Sequence, residues 1–296
     1  MSQTRANILM LIATLIWGTA FVSQTTGMGS IGPFTFSFSR FFFATITVLP
    51  LALYFERNNF AKIFSNSKLL ILTISTGIFL FLGMGLQQYA LQVSQISNVA
   101  FITTLYVPIV GIISRFVFKS QLHWIIWIAI LLCVLGSYLL SSNQSIEIQQ
   151  SDSLIFIAAF CFAVHIILID VFMKQFNSPL TYGTIQYFIV FLISLFVAGI
   201  YESPTLQNIS FEWFEILYTG VLSAGLGYTL QIIAQRKASP APAAIILSME
   251  GVFATIAGWL LINQTLDLNK FLGCLAIFTG VIIVQLLPIF KKTNDR

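Results

Sequence analysis

Three ionisable side chains are unusual because they lie inside long apolar stretches of the chain. Glu250 is near the middle of residues 241–263, and Arg40 and His165 lie within two other apolar stretches. An ionised side chain at the centre of a membrane-spanning helix costs about 3 kcal/mol on insertion scales, so such residues usually face the protein interior, a partner or a water-filled cavity. Because a carboxylate, a guanidinium and an imidazole can bind small charged molecules or carry protons, these residues mark a candidate functional site.

Each of these side chains also has a purely structural interpretation. Arg40 could form an ion pair, with Glu250 as the obvious partner, or could extend towards the membrane surface. Alternatively, its planar guanidinium binds the carboxylate or phosphate of a substrate. His165 could be hydrogen-bonded within a packed helix, or could bind substrate or transfer a proton. The sequence alone leaves these alternatives open.

Neutral polar and aromatic side chains recur in the other apolar stretches. Trp17 is near the middle of the first, although most membrane tryptophans lie at interfaces, so it contacts either a helix neighbour or a cavity. Tyr228 and Gln231 share one helical face in the eighth stretch, and Gln87 and Tyr106 lie in the third and fourth. Together with the ionisable groups, these give the expected substrate-binding residues: Trp17, Arg40, Gln87, Tyr106, His165, Tyr228, Gln231 and Glu250.

The composition is that of an integral membrane protein. Of 296 residues, 57% are hydrophobic and 8% are charged, compared with about 25% charged in soluble domains, and the mean hydropathy is +0.92. A membrane-spanning helix needs about 20 apolar residues. Ten such spans predict an all-α integral membrane fold, and they cover residues 7–26, 33–55, 68–91, 97–118, 122–141, 153–173, 179–201, 211–235, 241–263 and 269–290.

The connections between these spans are too short for a separate soluble domain that catalyses a reaction, hydrolyses nucleotides or binds nucleic acid. The three cysteines lie inside predicted helices without metal-ligand spacing, so we interpret them as small packing residues. The two histidines, His123 and His165, are far apart, and the acidic residues form no cluster of the kind that enzymes use. We therefore expect no enzymatic activity, no metal, no cofactor and no nucleic-acid partner.

The positions of the positive charges indicate how the chain is oriented in the membrane. Most of the fourteen Lys and Arg residues lie at the termini or in alternate connections on one side of the predicted bundle. By the positive-inside rule, both termini are cytoplasmic. The net charge of +4 then reflects topology, and a composition rich in Ile, Phe and Asn fits the inner membrane of a bacterium.

The two halves of the chain resemble each other in order. Residues 33–36, Pro-Phe-Thr-Phe, match residues 179–182, Pro-Leu-Thr-Tyr. We predict two five-helix repeats, residues 1–145 and residues 146–296. Because five is an odd number, the second repeat must cross the membrane in the opposite sense, which gives the inverted repeat common in transporters.

The chain resembles the drug/metabolite transporter superfamily, in particular its EamA-type ten-helix exporters. The resemblance rests on Trp17-Gly18-x-x-Phe21, Arg40-Phe41, the region of Pro108 and Glu250-Gly251-Val252-Phe253-Ala254. The last motif is similar to the family's Glu-Pro-Val-Phe-Ala, with Gly251 in place of proline, which changes what bends the ninth helix. The resemblance implies a cavity between two halves that rock between outward- and inward-open states, and small organic solutes, often amino acids, that are moved without ATP.

These observations predict a secondary transporter that moves small metabolites across the inner (plasma) membrane by alternating access, as an exporter of amino acids or related compounds. In this hypothesis Arg40 attracts the substrate carboxylate, and Tyr228 and Gln231 supply hydrogen bonds. Trp17 packs against the apolar part of the substrate. Glu250 either binds the ammonium group or is neutralised by Arg40.

Several alternatives stay open at this point. Glu250 and His165 inside the membrane suggest coupling to protons. Uptake or exchange of choline-like, nucleoside or sugar-nucleotide solutes is the nearest alternative function, and a receptor or scaffold without transport is an alternative of another class. The expected partners are a small-molecule substrate and the lipid bilayer. The protein is expected to be a monomer or a homodimer, since Gly273 and Gly280 in the tenth helix suit close packing.

Overall fold

The computed structural model describes residues 1–94, 96–141, 150–262 and 265–294, and in these residues it contains helices and no strands. The predicted all-α fold is therefore confirmed for the described part of the chain. The predicted boundary between the two repeats, at residues 145 and 146, lies outside the described residues.

Fifteen α-helices and one π-helical segment make up the described chain. The first eight helices are α1 Gln3–Thr26, α2 Pro33–Phe55, α3 Arg57–Ser65, α4 Ser67–Val93, α5 Ile96–Thr104, α6 Tyr106–Phe116, α7 Trp124–Ser141 and α8 Gln150–Gln175. The remainder are α9 Pro179–Tyr201, α10 Leu206–Phe211, α11 Trp213–Leu217, the π-helix Tyr218–Gly227, α12 Tyr228–Gln235, α13 Pro240–Leu247, α14 Met249–Ile262 and α15 Leu268–Asn294. Within the described residues, ten segments are long and apolar enough to cross a membrane, which confirms the ten predicted spans.

Two of the spans are interrupted near their middle. In the fourth span α5 ends at Thr104, four residues before Pro108, because the proline ring clashes with the carbonyl group at that position and cannot donate a backbone hydrogen bond. In the ninth span the break falls at Ser248, whose hydroxyl donates to the backbone carbonyl of Ile245 at 2.7 Å. Such back-bonding by serine often bends helices, and the break lies three residues before Gly251.

The eighth span contains a structural feature that the sequence analysis did not predict. Residues Tyr218–Gly227 form a π-helix between α11 and α12. A π-helix is wider than an α-helix, rare, and frequent at functional sites. This segment leads directly into Tyr228, one of the predicted site residues, so it sets the position of that side chain.

Apolar side chains form two main clusters. One includes buried residues of α1, α6, α7, α8, α12, α13, α14 and α15, and the other includes buried residues of α2, α3, α4, α8, α9, the π-helix and α12. Trp17 and Phe162 pack against both clusters. The region around these two aromatic residues therefore lies where the two apolar clusters meet.

Small residues allow close packing of α7 against α15. A Cβ added at Gly136 would lie 2.7 Å from the carbonyl oxygen of Gly273, and a Cβ added at Gly273 would lie 2.7 Å from the carbonyl oxygen of Gly136. Small residues let helix backbones approach in this way inside lipid. Gly273, which the sequence analysis considered for a dimer interface, is thus used for packing within the chain.

Two glutamates connect the ends of α2 and α9 in a reciprocal way. Glu56 follows α2, and its carboxylate accepts hydrogen bonds from the Ser178 hydroxyl at 2.6 Å and the Thr181 backbone N–H at 2.8 Å, at the start of α9. Glu202 follows α9, and its carboxylate accepts from two backbone N–H groups at the start of α2, at 2.9 and 2.7 Å, and from the Thr35 hydroxyl at 2.5 Å. The two helices are therefore antiparallel, and each carboxylate satisfies N–H groups that the other helix leaves free at its N-terminus.

Candidate functional site

A cavity lies between α1, α4, the α5–α6 span, α8, the eighth span and the α13–α14 span. It contains about 550 Å³ of space between atoms, including the part open to solvent. Its walls are mostly aromatic and apolar with several polar groups, and its lining residues are Trp17, Phe21, Gln24, Met84, Gln87, Thr103, Tyr106, Phe162, His165, Ile166, Ser223, Tyr228, Gln231, Leu247 and Glu250.

All of the predicted site residues except Arg40 line this cavity. They come from six different spans, so the fold brings together residues that are far apart in sequence. Close helix packing contributes to this arrangement at Gly18, where an added Cβ would lie 2.6 Å from the Phe253 Cβ and 2.7 Å from the Ala254 backbone nitrogen. Gly18 therefore permits α1 and α14 to approach, which places Trp17 and Glu250 in one cavity.

Glu250 is the second residue of α14, immediately after the break at Ser248. The break therefore places its side chain in the first turn of a helix, where the helix dipole favours negative charge. Among the described residues, no hydrogen-bond donor and no cationic side chain pairs with its carboxylate. A carboxylate in the membrane interior without a partner is costly unless a ligand or a proton neutralises it.

Arg40 lies beside the cavity rather than in its wall. Its side chain is 1% exposed, and one terminal nitrogen donates to the Gln24 Oε1 at 2.9 Å. The guanidinium carbon is 5.5 and 5.3 Å from the ring centres of Phe36 and Phe41. Its Nε and its second terminal nitrogen have no hydrogen-bond partner in the described structure.

The ion pair between Arg40 and Glu250, which the sequence left open, is absent in this conformation. Ion pairs among the described residues join Lys174 to Asp170 and Lys270 to Asp267, and no described carboxylate lies within 4.0 Å of Arg40. Neither side chain therefore neutralises the other by direct contact.

Trp17 and Tyr228 form the aromatic centre of the cavity. The Trp17 indole N–H donates to the backbone carbonyl of Ser223, in the π-helix, at 3.0 Å, and its ring centre is 4.9 Å from that of Tyr228. The Tyr228 hydroxyl donates to the Met84 sulfur at 2.7 Å, and the tyrosine ring packs edge-on against His165 at 5.9 Å. These contacts fix two aromatic faces against which the apolar part of a ligand can pack.

His165 has a defined hydrogen-bonding role. Its Nε2 is 3.0 Å from the Gln186 Oε1, and the amide nitrogen of Gln186 donates to the Tyr182 carbonyl at 3.3 Å. Because an amide oxygen only accepts, the Nε2 of His165 must carry the hydrogen. The structural interpretation of His165 therefore applies to its Nε2, while the ring still lines the cavity.

The glutamines of the cavity differ in how well their polar atoms are paired. Gln87 donates to the Thr103 hydroxyl at 3.1 Å. Gln231 donates to the Gln235 Oε1 at 3.0 Å, and Gln235 in turn donates to the Ile166 carbonyl at 2.8 Å. The Oε1 of Gln231 is buried and has no partner in the described structure, so one acceptor beside the cavity is unsatisfied.

Gln24 is one of eight lining residues that the sequence analysis did not include in the site. It follows Trp17 and Phe21 at helical spacing, so it lies on the same face of α1 as these two residues. Its bond to Arg40 could not be read from spacing because it joins two different helices. The described residues contain no group of three His, Cys, Asp or Glu side chains placed to bind a metal ion.

Comparison with known proteins identifies the family. The profile of the EamA-like transporter family matches residues 4–142 and again residues 149–286. The chain belongs to this family. It is a multi-pass membrane protein of a transporter family, and the resemblance drawn from the sequence motifs is confirmed.

Similar proteins are found in several organisms. An uncharacterized transporter of Archaeoglobus fulgidus is 28% identical over 285 residues, which cover 95% of this chain and 86% of the relative. The uncharacterized transporter YoaV of Bacillus subtilis is 23% identical, with 92% of this chain and 94% of the relative covered. A protein of known crystal structure has a TM-score of 0.80 at 14% identity, covering 97% of this chain and 98% of the other, which shows a shared fold.

Proposed function

We propose that this protein is a secondary transporter that exports small amphipathic metabolites, amino acids or closely related compounds, across the inner membrane of a bacterium by alternating access. The observation that carries the proposal is Glu250, a carboxylate without a described partner in an aromatic cavity inside the membrane. A group that costs stability in the empty protein is expected to contribute to ligand binding.

The cavity suits a ligand with a cationic group and an apolar part. The Glu250 carboxylate attracts an ammonium group, and the faces of Trp17 and Tyr228 bind either the cation or an attached side chain. The free Oε1 of Gln231 accepts a further hydrogen bond. In this proposal the ammonium group binds at Glu250, which leaves Arg40 for the carboxylate of the same substrate.

Alternating access is supported by the organisation of the chain, although repeat symmetry is part of the proposal. The family profile matches the chain twice, and α2 packs against α9 with reciprocal carboxylate caps. Helix α1 packs against the eighth span, and α4, in the third span, packs against α8 in the sixth. If the two five-helix halves are equivalent, the first and third spans correspond to the sixth and eighth, so these two contacts correspond to each other. Inverted halves of this kind can open a central site to either side in turn. We propose on the same basis that both termini are cytoplasmic.

Transport of an organic cation is the second candidate, because Arg40 does not line the cavity. If Arg40 keeps its bond to Gln24 in every state, Glu250 is the charge that selects the ligand, and choline-like solutes fit the site as well as amino acids do. Coupling to protons belongs to either candidate, since Glu250 and His165 both line the cavity.

Ligand-dependent thermal stability of the purified protein separates these candidates. A ligand that binds only the folded state stabilises it by about 2.7 kcal/mol at 100 times its Kd. Zwitterionic amino acids should raise the melting temperature, and nucleosides and sugar nucleotides should not. Shifts confined to choline-like cations would support the second candidate. Flux in proteoliposomes, with and without an imposed pH gradient, then tests transport and proton coupling, and binding without flux would indicate a receptor.

A further inference from the structure

We propose that Gln24 determines substrate specificity: its side-chain amide oxygen accepts a hydrogen bond from Arg40 until the carboxylate of a substrate takes the place of that oxygen. This inference rests on the proposed function, in which Arg40 binds the carboxylate. It adds a residue that was absent from the predicted site and a reason why Arg40 is covered in the empty protein.

Gln24 is placed between the cavity and the guanidinium. Its side chain lines the cavity, and its Oε1 accepts from Arg40 at 2.9 Å. Its amide nitrogen donates to the Ala20 carbonyl at 3.4 Å, close to the limit for a hydrogen bond. The amide of Gln24 is therefore held mainly by Arg40, and rotation of one side chain would uncover the guanidinium.

The backbone around Gln24 is fixed independently of its side chain. The amide nitrogen of Gln88 donates to the Gln24 backbone carbonyl at 3.0 Å. This bond connects α4 to the last turns of α1. Exchange of ligands on Arg40 therefore requires no movement of α1, only a new rotamer of Gln24.

A carboxylate is the better partner for Arg40 on chemical grounds. The amide oxygen of Gln24 is neutral and contacts one guanidinium nitrogen, whereas two nitrogens of Arg40 have no described partner. Guanidinium binds carboxylate in a planar two-point arrangement, and hydrogen bonds between charged groups are about twice as strong as neutral ones. A substrate carboxylate thus displaces the amide, while a neutral or cationic ligand does not.

Two substitutions at Gln24 have opposite expected effects. Gln24→Glu supplies a carboxylate inside the protein that pairs with Arg40 permanently, so amino-acid affinity should fall at least tenfold and amine affinity should not fall. Gln24→Met keeps the size of the side chain and removes the competing oxygen, so amino-acid affinity should rise severalfold. The second variant keeps the proposal testable if the first does not fold.

Binding of L-leucine and of isopentylamine, its decarboxylated amine, is measured by calorimetry on the full-length protein in detergent, and L-phenylalanine and phenethylamine form a second pair. Arg40→Gln is the reference variant and should lose the preference for amino acids. If it does so while Gln24→Glu and Gln24→Met bind both members of a pair as the wild type does, the Gln24 proposal is overturned and the proposed function stands. If the wild type itself shows no preference for amino acids over amines, the proposed function fails as well.

The reciprocal caps carry a second, independent inference. The geometry points to Glu56 and Glu202 as two latches, one on each membrane face, that release in alternation as the protein opens to one side and then the other. Each glutamate is the first residue after one helix, and its carboxylate accepts hydrogen bonds from the start of the other helix. Both ends of the α2–α9 pair are therefore held closed in this conformation. In this proposal, opening at either end separates α2 from α9 there and breaks the hydrogen bonds of one glutamate.

The space at the caps is adapted to the carboxylates. A Cβ at Gly32 would overlap the carboxyl group of Glu202, so glycine is required for this contact. At the other end Ser178 occupies the equivalent place before the helix and donates its hydroxyl to Glu56. Both ends thus use a small residue before a Pro-x-Thr helix start to admit the carboxylate of the partner helix.

Glu56→Gln and Glu202→Gln weaken one latch each and should bias the protein towards opposite faces. Ile166→Cys in the cavity wall, with Cys133, Cys161 and Cys274 replaced, reports access through labelling by a membrane-impermeant maleimide added to either side of vesicles. Glu202→Gln should increase labelling from the face that carries Glu202 and decrease it from the other, and Glu56→Gln should do the reverse. Equal changes in both variants, or lower stability without any change in labelling, would show that the glutamates are only helix caps.

Discussion

The carboxylates at the ends of α2 and α9 differ sharply from the charges around the cavity. Glu202 accepts three hydrogen bonds and Glu56 accepts two through its carboxylate. Glu250 has no described partner, and Arg40 has one neutral partner. Glu56 and Glu202 therefore have several hydrogen-bond donors each where they join two helices. We propose that Glu250 and Arg40, which lack such partners in the membrane interior, are kept for a ligand, since a buried charge without a partner lowers stability.

Glu250→Gln should have the largest effect on function. Removing one partner of a buried charge pair costs about 2 kcal/mol or more, so affinity for an ammonium-bearing substrate should fall about 30-fold or more. The melting temperature of the ligand-free protein should stay the same or rise, because the substitution removes a charge that has no described partner. Calorimetry and thermal unfolding of the same preparation test both statements. Full substrate affinity in this variant would remove Glu250 from the site.

Arg40→Gln should reduce amino-acid affinity about tenfold and leave amine affinity unchanged, because it removes the charge that binds the carboxylate. The stability of the empty protein should change little, because the loss of packing on Phe36 and Phe41 is offset by removal of a buried charge that has one hydrogen-bond partner. Arg115→Gln is the matched control, because Arg115 is exposed in the last turn of α6. A large loss of stability in Arg40→Gln alone would indicate a structural role for this arginine.

Glu202→Gln should destabilise the protein by about 2 kcal/mol, and Glu56→Gln by somewhat less, because hydrogen bonds to a charged acceptor contribute about 1.5 to 3 kcal/mol and Glu202 accepts more of them. Thermal unfolding in detergent gives both values. Glu215→Gln, at a carboxylate without a described hydrogen bond, provides the baseline. Stability equal to that baseline would mean that the caps contribute nothing.

Trp17→Phe should have the smallest effect and lower the free energy of unfolding by about 1 kcal/mol. It removes one hydrogen bond to the π-helix and keeps an aromatic ring in the cavity. Trp259→Phe, at a tryptophan that is 48% exposed, is the control. Equal melting temperatures for the two variants would show that the bond to Ser223 does not stabilise the eighth span.

Comparison of prediction and structure shows which properties the sequence determines locally. The spans follow from apolar length, and the cavity residues follow from polar or aromatic groups placed inside them, such as Trp17 and Glu250. Arg40 has the same signal but lies behind Gln24, because the rotation of α2 against α1 depends on packing between helices. The Glu56 and Glu202 caps were not predicted for the same reason, since each joins segments that are far apart in sequence.

The central claim is that two opposite charges without a mutual contact are kept for one zwitterionic ligand. Calorimetry of the wild-type protein with L-leucine, isopentylamine and 4-methylpentanoic acid tests it directly, because these compounds carry both charges, the positive charge alone and the negative charge alone. The account predicts the tightest binding for leucine, weaker binding for the amine and the weakest for the acid. Equal affinity for leucine and the amine, or binding of the acid as tight as that of leucine, would contradict it.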